Sequence, residues 1–364
     1  MDATFTEEQE LLADVAQRIA ERVGVDAPVD DEPGAGWTLV ADAGLLGLRM
    51  PVDAGGGGAT GVEAAIAAEA LGRSASRVPF VGPVLAAELL VAAGAANELL
   101  EPIGAGERRV TVALDRTLAT VGTASPTGAR IGWDASGAEE FVGLTNSSDG
   151  SCRVALLPGP GSPLASTDLT RELVELHPTE PIHYIGDPLD GDALIRWEAL
   201  AQVLLCADMM GAMRGALDMA VEYAKRRVQF GRPIGSFQAI QHLAADQHVS
   251  TEAARSATYY ASWSIDGLPP RDALLAARTA KAYVSRRAQE VTEAVLQIYG
   301  GIGHTWECSA HYFLRRVMLD RATLGDESVQ LVLIADTLLA DTVPVDLHAA
   351  AHVPPTHVDQ ERTG

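Results

Sequence analysis

Positive charge is scarce in this chain of 364 residues: 27 lysines and arginines stand against 49 aspartates and glutamates, a formal net charge of −22. That balance argues against a nucleic-acid partner, whose binding rests largely on cations neutralising phosphates. Cysteine is scarcer still. Cys152, Cys206 and Cys308 lie far apart without metal-ligand spacing, so they read as reduced thiols, small core residues of a cytoplasmic protein. The histidines form no metal pair, since His242 and His248 are six residues apart and His304 and His311 seven, where one helix face needs about four. No run of about 18 apolar residues is present, so no membrane span is expected. Residues 1–10 are acidic and lack the basic and apolar regions of a signal peptide. The Gly-x-Ser-x-Gly of a hydrolase does not occur either.

What is present is a 47% hydrophobic chain, enough to fill large cores in two or three domains. Thr6 and Gln9 form a capping box for a first helix, and Leu11, Val15, Ile19 and Val23 recur along one of its faces. A second helical segment covers residues 37–46. The four glycines at 55–58 read as a flexible turn and not a phosphate cradle, because no Gly-Lys-Ser/Thr follows and no βαβ strand precedes. Ala-rich helices over 61–71 and 84–96 are separated at Pro79. The pattern then changes: residues 110–114, 141–145 and 152–157 are short apolar runs, the last two flanking a turn cluster at 146–150 suited to a hairpin. Apart from Trp133, this stretch offers no aromatic side chain near polar donors.

Helical periodicity returns after Gly191. Val203, Ala207, Met210, Leu217, Val221 and Ala224 fall on one stripe of a helix ending at Gly231, with Met209, Met210 and Met213 as core filler. A second helix spans 236–266. A third starts near 271 and carries Leu274, Ala277, Val284, Ala288, Val291, Val295 and Ile298 before Gly300-Gly-Ile-Gly303 ends it. A fourth covers 326–341. The expected fold is therefore α+β, mostly α. It comprises an N-terminal helical domain (1–107), a middle β domain (108–187), a C-terminal four-helix bundle (188–341) and a disordered tail (342–364) holding Pro344, Pro354 and Pro355.

Against the acidic background, residues 223–235 gather Arg226, Arg227 and Arg232 at a helix end closed by glycine and proline. A guanidinium fork suits a phosphate or pyrophosphate, making two charge-assisted hydrogen bonds at once. A solvated helix end is the other reading, since cations in a last turn also suit the helix dipole. Charge alone does not choose between them.

Two motifs choose. Arg227-Val-Gln-Phe-Gly231 followed by Pro233-Ile-Gly-Ser-Phe-Gln238, and Gln297-Ile-Tyr-Gly-Gly301 on the next helix but one, resemble paired segments of the acyl-CoA dehydrogenases. The resemblance is strongest over 208–303 and weakest in the β domain. It implies FAD as cofactor, with Arg227 on the pyrophosphate, Gln229, Phe230 and Gln238 along the nucleotide, and Gln297 and Gly301 on its other side. In this family the flavin ring of that FAD lies in the neighbouring subunit. The implied reaction is α,β-desaturation of an acyl-CoA thioester: a carboxylate takes the α-proton, a hydride leaves the β-carbon, and an electron-transfer flavoprotein accepts the electrons.

This sequence departs from the family pattern at the base. The usual position falls on Leu324, in Thr323-Leu-Gly-Asp326, and the alternative position falls near Ala201. Glu198 and Asp326 are the nearby acids, and the catalytic residue is left unassigned. The ring-cradling segments are also missing, with Val112-Ala-Leu-Asp-Arg116 where the first belongs. The resemblance thus implies the non-catalytic half of a heteromer completed by a homologous partner, as in actinobacterial relatives acting on steroid side chains. The alternatives are a homo-oligomer using Glu198 or Asp326, a flavin monooxygenase of this fold, and a non-enzymatic binding protein on the same scaffold.

Overall fold

The computed structural model describes residues 4–26, 34–123, 125, 127–146, 151–179 and 182–340. The expected tail and the tip of the 146–150 turn lie outside the described residues. The chain is mostly helical, with its main sheet confined to one central stretch.

Helix α1 (Glu7–Val23) opens on the capping box: Thr6 Oγ1 accepts from the Gln9 amide at 3.2 Å, and Gln9 Oε1 accepts from the Thr6 amide at 3.1 Å. Its buried face is Ala16, Ala20 and Val23, while Leu11 is 63% exposed. A strict every-fourth row precesses by about 40° per step around a helix of 3.6 residues per turn, which carries Leu11 off the face that Val23 occupies. After α2 (Ala35–Asp42), the glycines at 55–58 form a close-packed turn, not a flexible one. A side chain at Gly56 would collide with the Met50 carbonyl, and the amides of Gly57, Gly58 and Ala59 donate to Gly47, Met50 and Leu48 at 2.9–3.0 Å. Helices α3 (Gly61–Arg73) and α4 (Val81–Ala92) follow, then a further helix, α5 (Asn97–Gly104), that the apolar pattern did not separate from α4. Gly94, at φ 70°, makes the break.

Strands β1 (Val110–Asp115), β2 (Gly122–Thr123), β3 (Arg130–Gly132), β4 (Glu140–Asn146), β5 (Cys152–Pro158), β6 (Ser162–Leu164), β7 (Leu173–Leu176) and β8 (His183–Leu189) form one sheet. Its order is β6-β7-β3-β1-β4-β5-β8, with β2 beside β4. The expected pairing of β4 with β5 is present as a seven-residue antiparallel ladder from Glu140↔Pro158 to Asn146↔Cys152. Alternation buries both faces. Val112, Leu114, Val142, Leu144, Val154 and Leu156 join the core shared with the helices, while Ala113, Phe141, Ala155 and Leu157 join a separate small core.

Helix α6 (Gly191–Arg226) is the axis of the molecule. Asp190 caps it, accepting from the Ala193 amide at 2.6 Å. It is long and apolar enough to cross a membrane, yet that apolar stretch is 94% buried inside the protein, which makes it the central core helix. It ends five residues before the expected Gly231, because Arg227 turns to extended backbone (φ −71°, ψ 118°). Helices α7 (Gln238–Gly267) and α8 (Pro270–Tyr299) pack along it, and all seven residues of the expected α8 stripe are buried. Among the described residues the C-terminal part holds five helices, one more than expected, since α9 (Ala310–Ala322) precedes α10 (Glu327–Ala340). Helix α9 has only the short apolar row Ala310, Phe313 and Val317, with His311, Arg316 and Asp320 buried beside it. All three cysteines are buried thiols, and burial pushes the Cys206 thiol up to about 12.

Candidate functional site

Beyond α6, β9 (Val228–Gln229) and β10 (Arg232–Pro233) form a minimal hairpin. Phe230 and Gly231 take φ values of 54° and 76° at its tip, the two positive values that a type I′ turn requires. The hairpin is tied to α6 and α7 through Arg227, whose amide donates to the Tyr223 carbonyl and whose carbonyl accepts from Ile234, both at 2.8 Å. The Arg232 guanidinium lies 4.1 Å from the Phe237 ring centre, and Phe230 meets the same ring edge-on at 6.2 Å. The second motif is brought alongside. Tyr299 stacks on Tyr223 at 4.4 Å and donates its hydroxyl to the Met219 carbonyl at 3.2 Å, so the C-terminal ends of α8 and α6 lie together.

All six expected nucleotide contacts are solvent-exposed: Arg227, Gln229, Phe230 (94% exposed), Gln238, Gln297 and Gly301. Arg227 has no ion-pair partner among the described residues. Lys225 and Arg226, by contrast, lean on Glu222 at 2.6 and 3.5 Å. A Cβ added at Gly231, Gly300 or Gly301 would meet nothing within 4 Å, so backbone is open to close approach there. Gln229 donates to its neighbour's carbonyl, Val228, at 2.8 Å. No side-chain hydrogen bond among the described residues links the Arg227 group to the Gln297 group. The surface is an uncovered cluster of one guanidinium, polar side chains and open glycine backbone.

The other expected end of the site is closed. Leu324 is only 6% exposed, sits at φ 56°, and donates its amide to the Leu118 carbonyl at 2.7 Å. Leu118 is itself at φ 58°. Leu324's carbonyl is held from the opposite side by Gln202 Nε2 at 3.1 Å and Gln330 Nε2 at 2.7 Å. The loop after β1 is occupied with itself, the Asp115 carboxylate accepting from the amides of Thr117, Ala119 and Thr120 at 3.1, 2.7 and 2.8 Å. Ala201 is fully buried. Glu198 is ion-paired with Arg278 at 2.7 Å, and Asp326 caps α10, accepting from Ser328 and Val329 amides at 3.0 and 3.2 Å. Both acids thus have partners within this chain.

Residues 6–99 match the description of the acyl-CoA dehydrogenase N-terminal domain, and residues 199–339 that of its C-terminal domain. The acyl-CoA dehydrogenase IpdE2 of Mycobacterium tuberculosis is 31% identical over 328 residues, covering 86% of this chain and 92% of that protein. The chain belongs to the acyl-CoA dehydrogenase family. A second IpdE2, from Mycolicibacterium smegmatis, is 28% identical over 90% of this chain and 97% of its own length. Among solved structures, a variant of the Tcur3481-Tcur3483 steroid ACAD has a TM-score of 0.81 at 26% identity, with 92% of this chain and 98% of that one covered. The ChsE4-ChsE5 complex from Mycobacterium tuberculosis gives 0.78 at 25%, with 95% and 100% covered.

Sequence reasoning missed what locks this acyl-CoA dehydrogenase family member's sheet to its helices. Arg316 of α9 grips Asp208 of α6 with two bonds of 2.7 Å, and its remaining nitrogen donates to the Ser76 carbonyl and Thr170 Oγ1, both at 2.8 Å. Arg171, stacked 4.4 Å from the Trp133 ring centre, pairs with Asp320 and lies 3.1 Å from Asp208 and 3.7 Å from Asp134. Asp134 in turn accepts from the Phe80 and Gly82 amides at 3.0 and 3.1 Å. All five charged groups are buried. Burial works to raise the Asp208 carboxyl, but Arg316 and Arg171 outweigh it and hold the group well below the usual range. Burial pushes Asp320 well above that range, and the Asp208 charge adds to the effect. Nearby, fully buried Lys281 donates to the carbonyls of Asp320, Arg321, Thr323 and Gly325 at 2.9–3.2 Å, which fixes the segment carrying Leu324. The only hint in the sequence was polar residues breaking the periodicity of α9.

Proposed function

We propose that this chain is the non-catalytic subunit of a heteromeric, FAD-dependent acyl-CoA dehydrogenase. In this reading a homologous partner supplies the base and the flavin-ring pocket, and this chain closes over the nucleotide. The observation that carries it is Leu324, an apolar, buried, doubly anchored residue at the position expected for the base. The residues present fit one end of the cofactor. Arg227 has no carboxylate partner among the described residues and offers a fork to a pyrophosphate, the Gly300-Gly301 backbone is open, and Gln229, Phe230, Gln238 and Gln297 are exposed.

They do not fit the ring end, where Leu118 bonds directly to Leu324. FAD, when bound in such an assembly, supplies the acceptor for the hydride leaving the substrate β-carbon. This chain's part is to orient and shield the nucleotide, with no proton transfer of its own. The acyl-CoA thioester, the electron-transfer flavoprotein acceptor and a cytoplasmic setting belong to the same proposal. Similarity to a steroid ACAD and to the two-protein ChsE4-ChsE5 complex supports a homologous partner and a steroid-type acyl group. The test is co-expression with the homologous partner and a flavin count per heterodimer from absorbance. One FAD, reduced in affinity by Arg227→Leu, is expected. A flavin-loaded, active homo-oligomer of this chain alone refutes the proposal.

A further inference from the structure

Tyr223 and Tyr299 lie inside the two stretches that carry the expected nucleotide contacts, yet the proposed function uses neither. Tyr223 stands one helical turn before Arg227, and Tyr299 stands between Gln297 and Gly301. Their rings stack with centres 4.4 Å apart and planes 23° apart. The Tyr299 hydroxyl donates at 3.2 Å to the carbonyl of Met219, one turn before Tyr223. In the turn after α8, a Cβ added at Gly303 would come within 2.9 Å of Tyr299 Cβ. Tyr299 is thus held at its ring and its tip by α6, and at its root by its own turn. Each tyrosine is joined to nucleotide residues through backbone. The Arg227 amide donates to the Tyr223 carbonyl at 2.8 Å, and the Gly300 amide donates to the Gln297 and Leu296 carbonyls. Residues two apart on a helix point about 200° apart. Tyr299 turned in against α6 therefore leaves Gln297 facing out, and Tyr299 is half-buried where Gln297 is exposed.

We infer that Tyr223 and Tyr299 are positioning residues for the dinucleotide: their stack sets the distance between the Arg227 fork and the Gln297–Gly301 edge without touching the ligand. Stacked rings cannot close past van der Waals contact, about 3.5 Å between carbon atoms. The hydrogen bond from Tyr299 to Met219 keeps them from parting. The pair is therefore spacer and tie at once. No side-chain hydrogen bond among the described residues links the Arg227 group to the Gln297 group, so the aromatic pair is the side-chain contact that joins the two ends. Burial pushes the Tyr299 hydroxyl up to about 12, which keeps it a donor at neutral pH. A diphosphate gripped from two sides needs this fixed spacing, because charge-assisted hydrogen bonds hold only over a few tenths of an ångström around their usual length. The inference rests on the proposed function, and its test separates the two.

The experiment follows FAD release from the flavin-loaded complex of this chain with its homologous partner, read as the rise of free-flavin fluorescence on dilution. Tyr299→Leu is expected to release FAD about tenfold faster, which corresponds to about 1.4 kcal/mol, near the top of the range for an aromatic pair. Tyr223→Leu should do the same. The double variant should be no worse than either single one, because the two rings act as one unit. Tyr299→Phe keeps the ring and loses only the bond to Met219, so its release should stay within about twofold of the parent. Melting temperatures near that of the parent show that each variant is folded. Release from Tyr299→Leu at the parent rate overturns the inference, as do single effects that multiply in the double variant, or Tyr299→Phe as fast as Tyr299→Leu. When Arg227→Leu still releases FAD rapidly beside such a result, the proposed function stands and the inference alone falls. Release from Arg227→Leu at the parent rate refutes the reading on which both rest.

Discussion

Asp208→Asn and Asp320→Asn, two like substitutions in one buried cluster, are predicted to have very different costs. Asp208 is ionised, 1% exposed, and accepts two 2.7 Å bonds from Arg316 with Arg171 at 3.1 Å. Neutralising it leaves two buried guanidinium groups short of countercharge, a loss of about 3–5 kcal/mol for a broken buried pair. At roughly 2–4 °C per kcal/mol for a chain of this size class, the melting temperature should fall by about 6–20 °C. Burial beside Asp208 pushes the Asp320 carboxyl well above the usual range, so an amide there gives up less countercharge and should cost less than at Asp208.

The pH dependence has a definite sign. A carboxyl whose folded pKa is raised binds a proton on folding, so its contribution is lost as pH rises from the ordinary carboxylate value, about 3.9, towards the folded one. Asp320→Asn should remove that decline. Asp208, with a lowered folded value, contributes stability above the ordinary range that is lost only as pH falls through it. Thermal melts of parent and both variants between pH 4 and 8 are the assay. Equal costs for the two substitutions, or an Asp208→Asn melt within about 2 °C of the parent, would refute the reasoning.

Three further outcomes follow from the same geometry. Lys281→Met strands the carbonyls of Asp320, Arg321 and Thr323 and should cost about 2–4 kcal/mol in a denaturant titration. In the parent, burial lowers Lys281 to about 8, so the unfolded chain binds more protons and stability should rise from pH 8 towards about 10.4; in the variant that rise should vanish. Leu324→Glu should create no dehydrogenase activity in the chain alone and should lower the melting temperature, because the side chain is buried and the backbone is pinned at φ 56°. In a thiol-labelling assay, Cys152, Cys206 and Cys308 should react at the rate of unfolding and not before.

The long helices α6 and α8 were legible because their apolar positions repeat with the helical period, and the β4–β5 hairpin because two short apolar runs flank a turn cluster. Helix α9 was not legible, since its apolar row is limited to Ala310, Phe313 and Val317 and its inward face also carries Arg316 and Asp320. The glycine turn at 55–58 was misread as flexible, because composition does not reveal that the Met50 carbonyl leaves no room for a side chain at Gly56. At the candidate site the six residues expected from the sequence are exposed, and the ends of α6 and α8 lie side by side. The Leu118–Leu324 contact joins residues from different parts of the fold, and spacing along a chain carries no trace of it.

The most direct measurement is flavin stoichiometry in the purified complex of this chain with its homologous partner, compared with the chain alone. The account predicts one FAD per heterodimer, little or none on the isolated chain, and a sharp drop in bound FAD for Arg227→Leu with the complex intact. Two FAD per heterodimer, or full flavin and turnover in the chain by itself, would contradict it.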